Sequence, residues 1–438
     1  MLETIVAPAT SVGRGGVGIV RLSGEKSRLI GSALCGDLSE PWKVKKCTVS
    51  DSDKEMIDSG LVVYFKAPNS YTGEDVVEIH CHGNPLLLDL ITRAAIKEGA
   101  RMALPGEFTE RAFLNEKIDL AQAESVADLI SAESLEAIKV AESSLKGDFS
   151  NKINLVIDKV LKMRVNIEAG LDFPEDETDE KEDALLEGLL EEIIQEVNSI
   201  LEGSKRGALL RDGFKVSIIG PPNSGKSTLV NRLAQENIAI VSSVPGTTRD
   251  PIRKKINLDG FVIEIVDTAG VREETSDPIE KEGIKRTVSE KVDSDLVLYT
   301  CSVDTNHKHP DFNEEPMIKI YTKADLGEEK RFGAYKDFIY ISAQEERGLD
   351  VLTAEILKVL GVSEKSQVPI LARRRHIVLI EGCLQKLYSC GVALKERGQN
   401  ELCAEFLREG QDILGQITRP VASEDLLGEI FSSFCIGK

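Results

Sequence analysis

The sequence feature that most constrains the fold is a glycine-rich loop between an apolar run and a helical segment. Residues 215–229 read KVSIIGPPNSGKSTL, so Gly220 is followed, after four residues, by Gly225-Lys226-Ser227. This spacing is typical of a P-loop, in which backbone N–H groups and the start of a helix surround phosphate oxygens. In such a loop the lysine reaches the β- and γ-phosphates and the serine hydroxyl binds Mg²⁺. Taken alone, the pattern also fits an ordinary glycine-rich turn.

Later stretches, in the order that a nucleotide-binding domain requires, favour the P-loop. An apolar run ends in Asp267-Thr268-Ala269-Gly270, which would place a carboxylate and a backbone amide beside the γ-phosphate. Before it lies Pro245-Gly246-Thr247-Thr248-Arg249-Asp250, where a threonine hydroxyl could complete the Mg²⁺ shell. Thr322-Lys323-Ala324-Asp325 and Ser342-Ala343-Gln344 each follow a short strand-like run. Together these loops predict a Ras-like GTP-binding domain on a mostly parallel sheet.

The loop 322–325, here called the guanine loop, ends in Asp325, and this residue predicts which nucleotide base is bound. One carboxylate can accept hydrogen bonds from both the ring N–H and the amino group that guanine presents on one edge. Adenine lacks this pair of donors, so Asp325 predicts GTP rather than ATP.

Composition limits the partners. The 438 residues are 41% hydrophobic, which predicts two or three domains with cores of their own. The formal net charge of −20 disfavours diffuse binding to nucleic acid or to an anionic membrane. Any RNA contact is therefore expected to be local. The candidates are Arg373-Arg374-Arg375-His376 and Arg253-Lys254-Lys255, although a solvated helix face is the favoured interpretation of either one alone.

The sequence also predicts a cytoplasmic protein. It contains no run of about 18 apolar residues, and its N-terminus lacks the basic and apolar regions of a signal peptide. None of the eight cysteines forms a Cys-x-x-Cys pair, so they are expected to be reduced thiols rather than a disulfide framework.

The hydrophobic periodicity predicts a multidomain fold, α/β plus all-α. Residues 1–117 alternate between strand-like and helical runs and predict a small α/β domain. Helical patterns at 118–211 and 366–438 flank the nucleotide-binding segment, 212–365. This arrangement predicts a helical bundle, built from two separated segments, with the nucleotide domain inserted between them. Nucleotide state is then a plausible lever on the bundle.

Two smaller patterns carry expectations of their own. The apolar stripe from Leu145 to Ile167 steps by three or four residues and predicts one long amphipathic helix. His80-Cys81-His82 suggests zinc, but no further ligands stand at suitable distances, so a structural strand end is favoured.

Three motifs identify a family. They are Gly13-Arg14-Gly15-Gly16-Val17-Gly18-Ile19-Val20-Arg21, residues 108–124 (FTERAFLNEKIDLAQAE) and Phe434-Cys435-Ile436-Gly437-Lys438. Over essentially its whole length the chain resembles the MnmE (TrmE) family of tRNA modification GTPases.

The resemblance implies a folate-binding N-terminal domain. Arg21, Glu78, Lys117 and Lys438 match the positions at which the family binds a 5-formyl-tetrahydrofolate type cofactor. It also implies a homodimer and a heterotetramer with MnmG (GidA), a flavin-dependent partner. Together the two proteins add an aminomethyl-type group, such as carboxymethylaminomethyl, to carbon 5 of the wobble uridine of tRNA. In the family the C-terminal tail reaches the folate, so Cys435 would lie close to the one-carbon unit.

The resemblance further implies that potassium activates GTP hydrolysis. Asn223, Ser242, Val244 and Thr247 match the potassium positions, and Ser227 and Thr248 match the magnesium positions. With the motifs above, the residues expected at the nucleotide are Asn223, Ser224, Gly225, Lys226, Ser227, Thr228, Ser242, Ser243, Val244, Pro245, Gly246, Thr247, Thr248, Asp267, Thr268, Ala269, Gly270, Thr322, Lys323, Ala324, Asp325, Ser342, Ala343 and Gln344.

Val271 supports this mechanism independently. In Ras-like GTPases a glutamine after Asp-Thr-Ala-Gly orients the attacking water, and valine cannot do so. Glu280, the family's catalytic glutamate by resemblance, could orient the water, and a bound cation could replace an arginine finger. On spacing alone, Glu280 is one of many carboxylates in its segment.

The chain departs from the family at Thr322, where asparagine is usual, and at His82-Gly83-Asn84, where a second glycine is usual. Two alternative functions share many of these motifs. One is a GTP-dependent RNA-binding or ribosome-assembly factor, although no Gly-x-x-Gly loop of the KH type follows residue 365. The other is a folate-dependent one-carbon enzyme that the GTPase only regulates.

Overall fold

The computed structural model describes residues 3–11, 13–38, 40–172, 180–236, 253–259, 261–267, 294–305, 316–327, 330–361, 369–396, 399–419, 424–432, 434 and 436–437. These residues form two sheets and a set of helices, so the expected multidomain fold, α/β plus all-α, is confirmed. They divide into two compact units. The first unit comprises Met1–Ala127, Leu145–Leu186 and Lys386–Lys438, and the second comprises Asp128–Ser144 and Glu187–Gln385.

The strands of the first unit are β1 (Ile5–Pro8), β2 (Gly15–Ser23), β3 (Lys45–Ser50), β4 (Met56–Phe65), β5 (Val76–Gly83) and β6 (Arg101–Met102). They form one sheet in the order β3-β4-β5-β2-β1-β6, and only β1 and β6 pair in parallel. Alternation along β5 buries Val77, Ile79 and Cys81 in the core. Glu78 and His80 therefore project from the opposite face. β3 is a short edge strand with two exposed lysines.

The helices of the described residues are α1 (Ser27–Cys35), α2 (Pro85–Lys97), α3 (Glu107–Leu114), α4 (Leu120–Ser131), α5 (Leu135–Leu145), α6 (Asp148–Asp172), α7 (Glu180–Asp212), α8 (Lys226–Glu236), α9 (Leu349–Val359), α10 (Arg374–Lys395), α11 (Asn400–Thr418) and α12 (Glu424–Ser432). The stripe from Leu145 was predicted to lie on one helix. Instead Leu145 ends α5, and the chain turns at Gly147, whose φ of 93° is left-handed, before α6 begins.

Within the first unit α6 packs along α11, although more than 200 residues separate them in sequence. The stripe of α6 is buried as expected, at Phe149, Ile153, Val156, Val160, Met163 and Ile167. On α11 the burial is less regular, because Ile417 is buried whereas Leu402 is 43% exposed. Small residues occupy much of the buried face instead, including Cys403 and Gly410. They allow the helix backbone to come closer to its neighbour than leucine would.

The strands of the second unit are β7 (Phe214–Ile219), β8 (Arg253–Leu258), β9 (Phe261–Asp267), β10 (Leu296–Ser302), β11 (Met317–Thr322), β12 (Gly333–Tyr335) and β13 (Phe338–Tyr340). Their order is β12-β13-β11-β10-β7-β9-β8, and β13, β11, β10, β7 and β9 run parallel. These central strands are apolar because both faces of a parallel sheet are covered. The mostly parallel sheet expected for the nucleotide domain is confirmed.

Two further expectations, that the cysteines are reduced and that no long apolar segment is present, do not hold everywhere. Cys390 in α10 and Cys403 in α11 form a disulfide, with Cα atoms 4.6 Å apart, so the expectation that every cysteine is a reduced thiol is wrong for this pair. The sequence spacing gave no indication that these helices approach so closely. In addition, α10 alone among the described helices is long and apolar enough to cross a membrane, with a mean hydropathy of 1.4 in one window. The same pattern occurs in core helices, and Ile380, Leu384 and Leu387 of α10 are buried.

Candidate functional site

The glycine-rich loop has the backbone of a phosphate-binding loop. β7 leads into residues 220–225, and α8 begins at Lys226. Gly220 and Gly225 have φ values of 152° and 83°, and Asn223, with φ 60°, is a residue type that tolerates this conformation. A Cβ atom on Gly220 would lie 2.2 Å from the carbonyl oxygen of Thr300. Only glycine fits this position.

Lys226 folds back over the loop. Its Nζ donates hydrogen bonds to the carbonyl oxygens of Gly220, at 2.8 Å, and Pro221, at 2.9 Å. The ammonium group thus lies at the loop backbone, next to the N-terminus of α8. Both the charge and the helix dipole favour an anion at this place.

The guanine loop starts at the end of β11. Lys323 takes a left-handed conformation (φ 54°), and Ala324–Leu326 form a 3₁₀ turn with half-buried Asp325 in it. The N–H of Ala324 donates to the carbonyl oxygen of Ile341, 3.0 Å away. This bond fixes the turn against the chain that leaves β13.

An ion pair orients the lysine of the guanine loop. Lys323 Nζ lies 3.1 Å from Asp304 Oδ2, and the hydroxyl of Ser302 donates to the other oxygen of the same carboxylate. Ser302 first, and then Lys323, lower the pKa of Asp304. The carboxylate is thus charged at neutral pH and holds the side chain of Lys323 in place.

The loop at 342–344 is fixed to α8. Ser342 is fully buried, and its hydroxyl accepts a hydrogen bond from the N–H of Glu345 at 3.1 Å. Arg232 Nε, on α8, donates to the carbonyl oxygen of Ala343 at 3.1 Å. Because β7, β10, β11 and β13 are parallel, their carboxyl ends share one edge of the sheet. That edge brings the P-loop, the guanine loop and this loop together, as is usual for ligand sites in such sheets.

Several expected site residues lie outside the described residues. Asp267 ends β9, but its side chain is not described. The others outside are Ser242, Ser243, Val244, Pro245, Gly246, Thr247, Thr248, Thr268, Ala269, Gly270, Glu280, Cys435 and Lys438. Their assigned roles stay predictions.

A second cluster lies on the first unit, around two of the expected folate residues. Arg21 on β2 and Glu78 on β5 are paired across the sheet, and Arg21 Nε lies 2.8 Å from Glu78 Oε1. The guanidinium carbon of Arg21 lies 5.5 Å from the ring centre of Tyr71 and 5.7 Å from that of Phe108. The second oxygen of Glu78 lies 3.4 Å from His80 Nε2. The guanidinium group of Arg21 thus lies at cation–π distance from two aromatic rings and pairs with Glu78.

Lys117 lies against the loop that carries one of these rings. Its Nζ donates to the carbonyl oxygen of Pro68 at 3.1 Å. Tyr71, in the same loop, shares a 2.8 Å hydrogen bond with the hydroxyl of Thr109 on α3. Burial raises the pKa of Tyr71, although this bond and Arg21 act in the opposite direction, so its hydroxyl stays protonated.

The C-terminal tail returns to the same unit. Ile436 forms an isolated antiparallel bridge with Pro105, and Phe434 packs on Phe431 in the core. A Cβ atom on Gly437 would lie 1.9 Å from the carbonyl oxygen of Pro8. The residues on both sides of Cys435 are thus held beside the loop that leads into α3, the helix that carries Phe108.

Members of both basic clusters contact acidic or amide groups of the chain. Arg373 lies 3.1 Å from the buried carboxylate of Asp128, and Lys255 lies 2.9 Å from Glu133. Lys254 donates to the side-chain oxygen of Asn231. The favoured interpretation, a solvated helix face, is wrong for Arg253-Lys254-Lys255, which lies in strand β8. In the other cluster the Arg373 side chain is only 16% exposed, because it packs against the buried Asp128.

The His-Cys-His stretch forms part of β5. His82 pairs with Asp58 on β4 at 2.9 Å, whereas Cys81 faces the core. In the described part of the chain, no group of three or more His, Cys, Asp or Glu side chains is placed to hold a metal ion.

Sequence reasoning missed several residues at both clusters. Thr300 and Asp304 follow no nucleotide-binding motif, and Tyr71 stands in a polar loop without a recognisable pattern. Their positions depend on strand order and loop packing. Phe108 belongs to a family motif, but its ring contact with Arg21 depends on the fold.

Comparison with known proteins covers the whole chain. The family model described as the MnmE helical domain matches residues 120–435, and that of the GTP-binding protein TrmE N-terminus matches residues 4–117. The tRNA modification GTPase MnmE of Saccharophagus degradans is 42% identical over 451 residues, covering 100% of this chain and 99% of that protein. The protein of the same name from Legionella pneumophila is 43% identical over 449 residues and covers 100% of both.

A solved structure of a GTP-binding protein from Sulfolobus solfataricus in complex with GDP is also similar. It is 18% identical, covers 47% of this chain and 67% of that chain, and has a TM-score of 0.24. At that score the similarity adds nothing to the description of the fold.

Proposed function

Because the chain belongs to the MnmE family of tRNA modification GTPases, we propose that it hydrolyses GTP to drive modification of the wobble uridine of certain tRNAs. The observation that supports this most strongly is the convergence of the P-loop and the guanine loop at one sheet edge. The first unit adds a second, separate cluster around Arg21 and Glu78. A GTPase with such a second cluster fits a modification enzyme better than it fits a simple nucleotide switch.

In the nucleotide site, the chain supplies binding and orientation. Asp325 accepts the two guanine donors, Lys226 contacts the β- and γ-phosphates, and the loop amides surround them. Glu280 orients the attacking water, because Val271 cannot. The other contacts to the nucleotide are assigned to the remaining residues of the nucleotide-binding loops given in the sequence analysis.

We assign two cations to the nucleotide site, of whose expected ligands Ser227 and Asn223 are described. Ser227 is exposed in the first turn of α8, beside Lys226, where a Mg²⁺ ligand of a P-loop is expected, and Thr248 would be the second. Asn223 is exposed at the top of the loop and would hold K⁺ together with Ser242, Val244 and Thr247. When bound, the cations neutralise the charge that develops on the phosphates during hydrolysis.

In the second cluster, we assign Arg21, Glu78, Lys117 and Lys438 to a 5-formyl-tetrahydrofolate type ligand. Glu78 can accept N–H groups of a pterin ring, and Arg21 and the lysines can bind carboxylates. The bridge between Ile436 and Pro105 supports the proposal, because it holds a neighbour of Cys435 beside the loop that leads to Phe108, whose ring contacts Arg21.

We further propose a cytoplasmic homodimer that forms a heterotetramer with the flavoprotein MnmG (GidA). Its segments would be the folate-binding domain (1–117), the two parts of the helical domain (118–211 and 366–438) and the inserted GTPase domain (212–365). The wobble uridine would receive an aminomethyl-type group, carboxymethylaminomethyl in one form, at carbon 5.

Reconstitution tests the proposal. Unmodified tRNA is incubated with this protein, MnmG, GTP, glycine or ammonium as the amine donor, and folate labelled in its one-carbon unit, in parallel with K⁺ or Na⁺. We expect label at the wobble uridine in K⁺ and much less in Na⁺, with mass spectrometry locating the label. Absence of label in tRNA would refute the folate route. Label without GTP turnover would favour a folate enzyme that the GTPase only regulates.

A further inference from the structure

Three buried hydroxyl groups connect the guanine loop to the P-loop. Thr322, Ser224 and Thr300 are 3%, 1% and 0% exposed. Thr322 Oγ1 lies 2.6 Å from the carbonyl oxygen of Ser224, and Ser224 Oγ lies 2.8 Å from Thr300 Oγ1. Thr300 Oγ1 lies 3.2 Å from the carbonyl oxygen of Ile219.

The direction of every bond follows from the donors available. A carbonyl oxygen can only accept, so Thr300 donates its single hydroxyl proton to Ile219. Ser224 must then donate to Thr300, since Thr300 has no second proton. Thr322 donates to the carbonyl oxygen of Ser224, and shares its proton with that of Cys301 at 3.2 Å. None of these three hydroxyl groups can rotate away from its acceptor without leaving a buried polar group unpaired.

This chain of bonds fixes Ser224 to three neighbouring strands. Thr322 ends β11, Thr300 lies in β10, and Ile219 ends β7. Ser224 is held through its main chain by Thr322 and through its side chain by Thr300. Gly225 is constrained too, because a Cβ atom there would lie 3.3 Å from Thr322 Oγ1.

We propose that Thr322 is a positioning residue that couples base recognition to phosphate recognition. Its hydroxyl holds the P-loop in the phosphate-binding shape, and its main chain leads directly into Lys323 and Asp325. A hydroxyl therefore performs the coupling in this chain, at the position where the family usually has asparagine. The proposal rests on the proposed binding of guanine nucleotides at this site.

The test compares Thr322→Val, which removes only the hydroxyl, with Thr322→Ser, which keeps it. Affinities for GMP and GDP are measured by calorimetry on the full-length protein. The β-phosphate is the group held in the P-loop, so the ratio of the two dissociation constants reports the shape of that loop. Loss of one buried hydrogen bond is expected to weaken GDP binding about five- to tenfold in Thr322→Val and to affect GMP less. Thr322→Ser should bind GDP within about twofold of wild type.

Ser217→Ala is the matched control. It removes the hydroxyl of Ser217, which lies in β7 outside the P-loop and pairs with Ser294, and should leave the ratio unchanged. Thr300→Val removes the acceptor of Ser224 and serves as the second variant if Thr322→Val fails to fold. Like Thr322→Val, it should lower the ratio of the GMP dissociation constant to the GDP dissociation constant.

The outcomes separate the two proposals. Wild-type GDP affinity in Thr322→Val, or an equal loss of GMP and GDP affinity, would refute the positioning role. Failure of the wild-type protein to bind GDP would refute the binding of guanine nucleotides itself.

Discussion

At the guanine loop, selectivity and orientation depend on different side chains. Asp325 is the carboxylate to which we assign the choice of guanine, whereas Asp304 holds Lys323 through an ion pair of 3.1 Å. The assignment of Asp325 follows from the motif in the sequence. It could not predict that of Asp304, which lies 19 positions before Lys323 and follows a different strand. The role of a residue can thus be predicted from the sequence where it belongs to a contiguous motif. It cannot be predicted where the contact depends on two strands lying next to each other in the fold.

Asp325→Asn should exchange guanine for xanthine nucleotides. The amide presents a donor where the carboxylate presented an acceptor, so one bond to guanine is lost and one to xanthine is gained. Two hydrogen bonds to a charged group are involved, and GDP affinity should fall about 100-fold. Competition between GDP, xanthosine diphosphate and ADP measures the change. Equal affinity of the wild-type protein for ADP and GDP would contradict the assignment.

Glu280→Ala should leave GTP affinity within about twofold but lower kcat on the order of 10²-fold or more, because a water-orienting group acts mainly in the transition state. Steady-state hydrolysis at saturating GTP and K⁺ measures kcat, and nucleotide binding gives the affinity. A mutant with nearly wild-type turnover would make Glu280 one of the many surface carboxylates of its segment.

At the scale of elements, the strand-loop-helix unit of the P-loop follows from local sequence. An apolar strand, two glycines and a helix start are all adjacent in the chain, so β7 and α8 appear where the pattern predicts them. The break between α5 and α6 was not predicted, because the apolar spacing continues through Gly147. The left-handed backbone of Gly147 separates the two helices, although the hydrophobic spacing continues across it.

Gly220→Ala tests the loop at this scale. The new methyl group would meet Thr300 O at 2.2 Å and Thr300 Oγ1 at 2.5 Å, so the loop must open or the strand must shift. We expect loss of GDP binding and a stability cost of about 3 kcal/mol, measured by calorimetry and urea unfolding. Gly188→Ala in α7, where nothing lies within 4 Å, should instead stabilise by about 0.5–1 kcal/mol. Similar effects in both variants would contradict the steric argument.

Helix α3 is anchored by a buried ion network. Arg111, 2% exposed, contacts Glu107 and Glu74, each at 2.9 Å, and Arg101 contacts Glu107 from outside. Burial alone would raise the pKa of Glu107, but Arg101, the N–H of Leu104 and Arg111 outweigh it and lower that pKa. Glu110 on the same helix is the opposite case, because burial and then Glu107 raise its pKa.

Glu107→Gln should therefore destabilise the first unit by about 3 kcal/mol at pH 7, since Arg111 keeps a buried charge with one partner fewer. A lowered pKa means that wild-type stability is present above the unfolded pKa and lost as pH falls through the folded pKa. The variant should lose less stability between about pH 5 and pH 3, as measured by urea midpoints. Glu110→Gln is the matched control and should be neutral or stabilising at pH 7. Parallel pH profiles for wild type and Glu107→Gln would be inconsistent with a lowered pKa.

At the scale of the whole molecule, distant segments of the chain meet. α6 packs along α11 although the nucleotide-binding segment lies between them, and the tail returns to Pro105. The helical periodicity before and after that segment predicted the first of these contacts in outline. No local pattern predicts where a tail of five residues lies. That expectation came from resemblance, and the flanking residues of Cys435 support it.

The tail permits a test that separates chemistry from docking. Cys435→Ser changes one atom, whereas Gly437→Ala places a Cβ atom 1.9 Å from the carbonyl oxygen of Pro8 and should displace the tail. If the thiol acts chemically, both variants lose wobble-uridine modification, but only Gly437→Ala becomes more sensitive to carboxypeptidase.

GTP hydrolysis should stay near wild type in both tail variants, because the nucleotide site belongs to the other compact unit. Mass spectrometry of tRNA from complemented cells gives the modification. Normal modification in Cys435→Ser would remove the thiol from the mechanism, since serine keeps the shape but is a far weaker nucleophile at neutral pH. The folate assignment would then depend on Arg21, Glu78 and Lys117. Loss of modification in Gly437→Ala alone would make the tail a positioning segment rather than a source of the nucleophile.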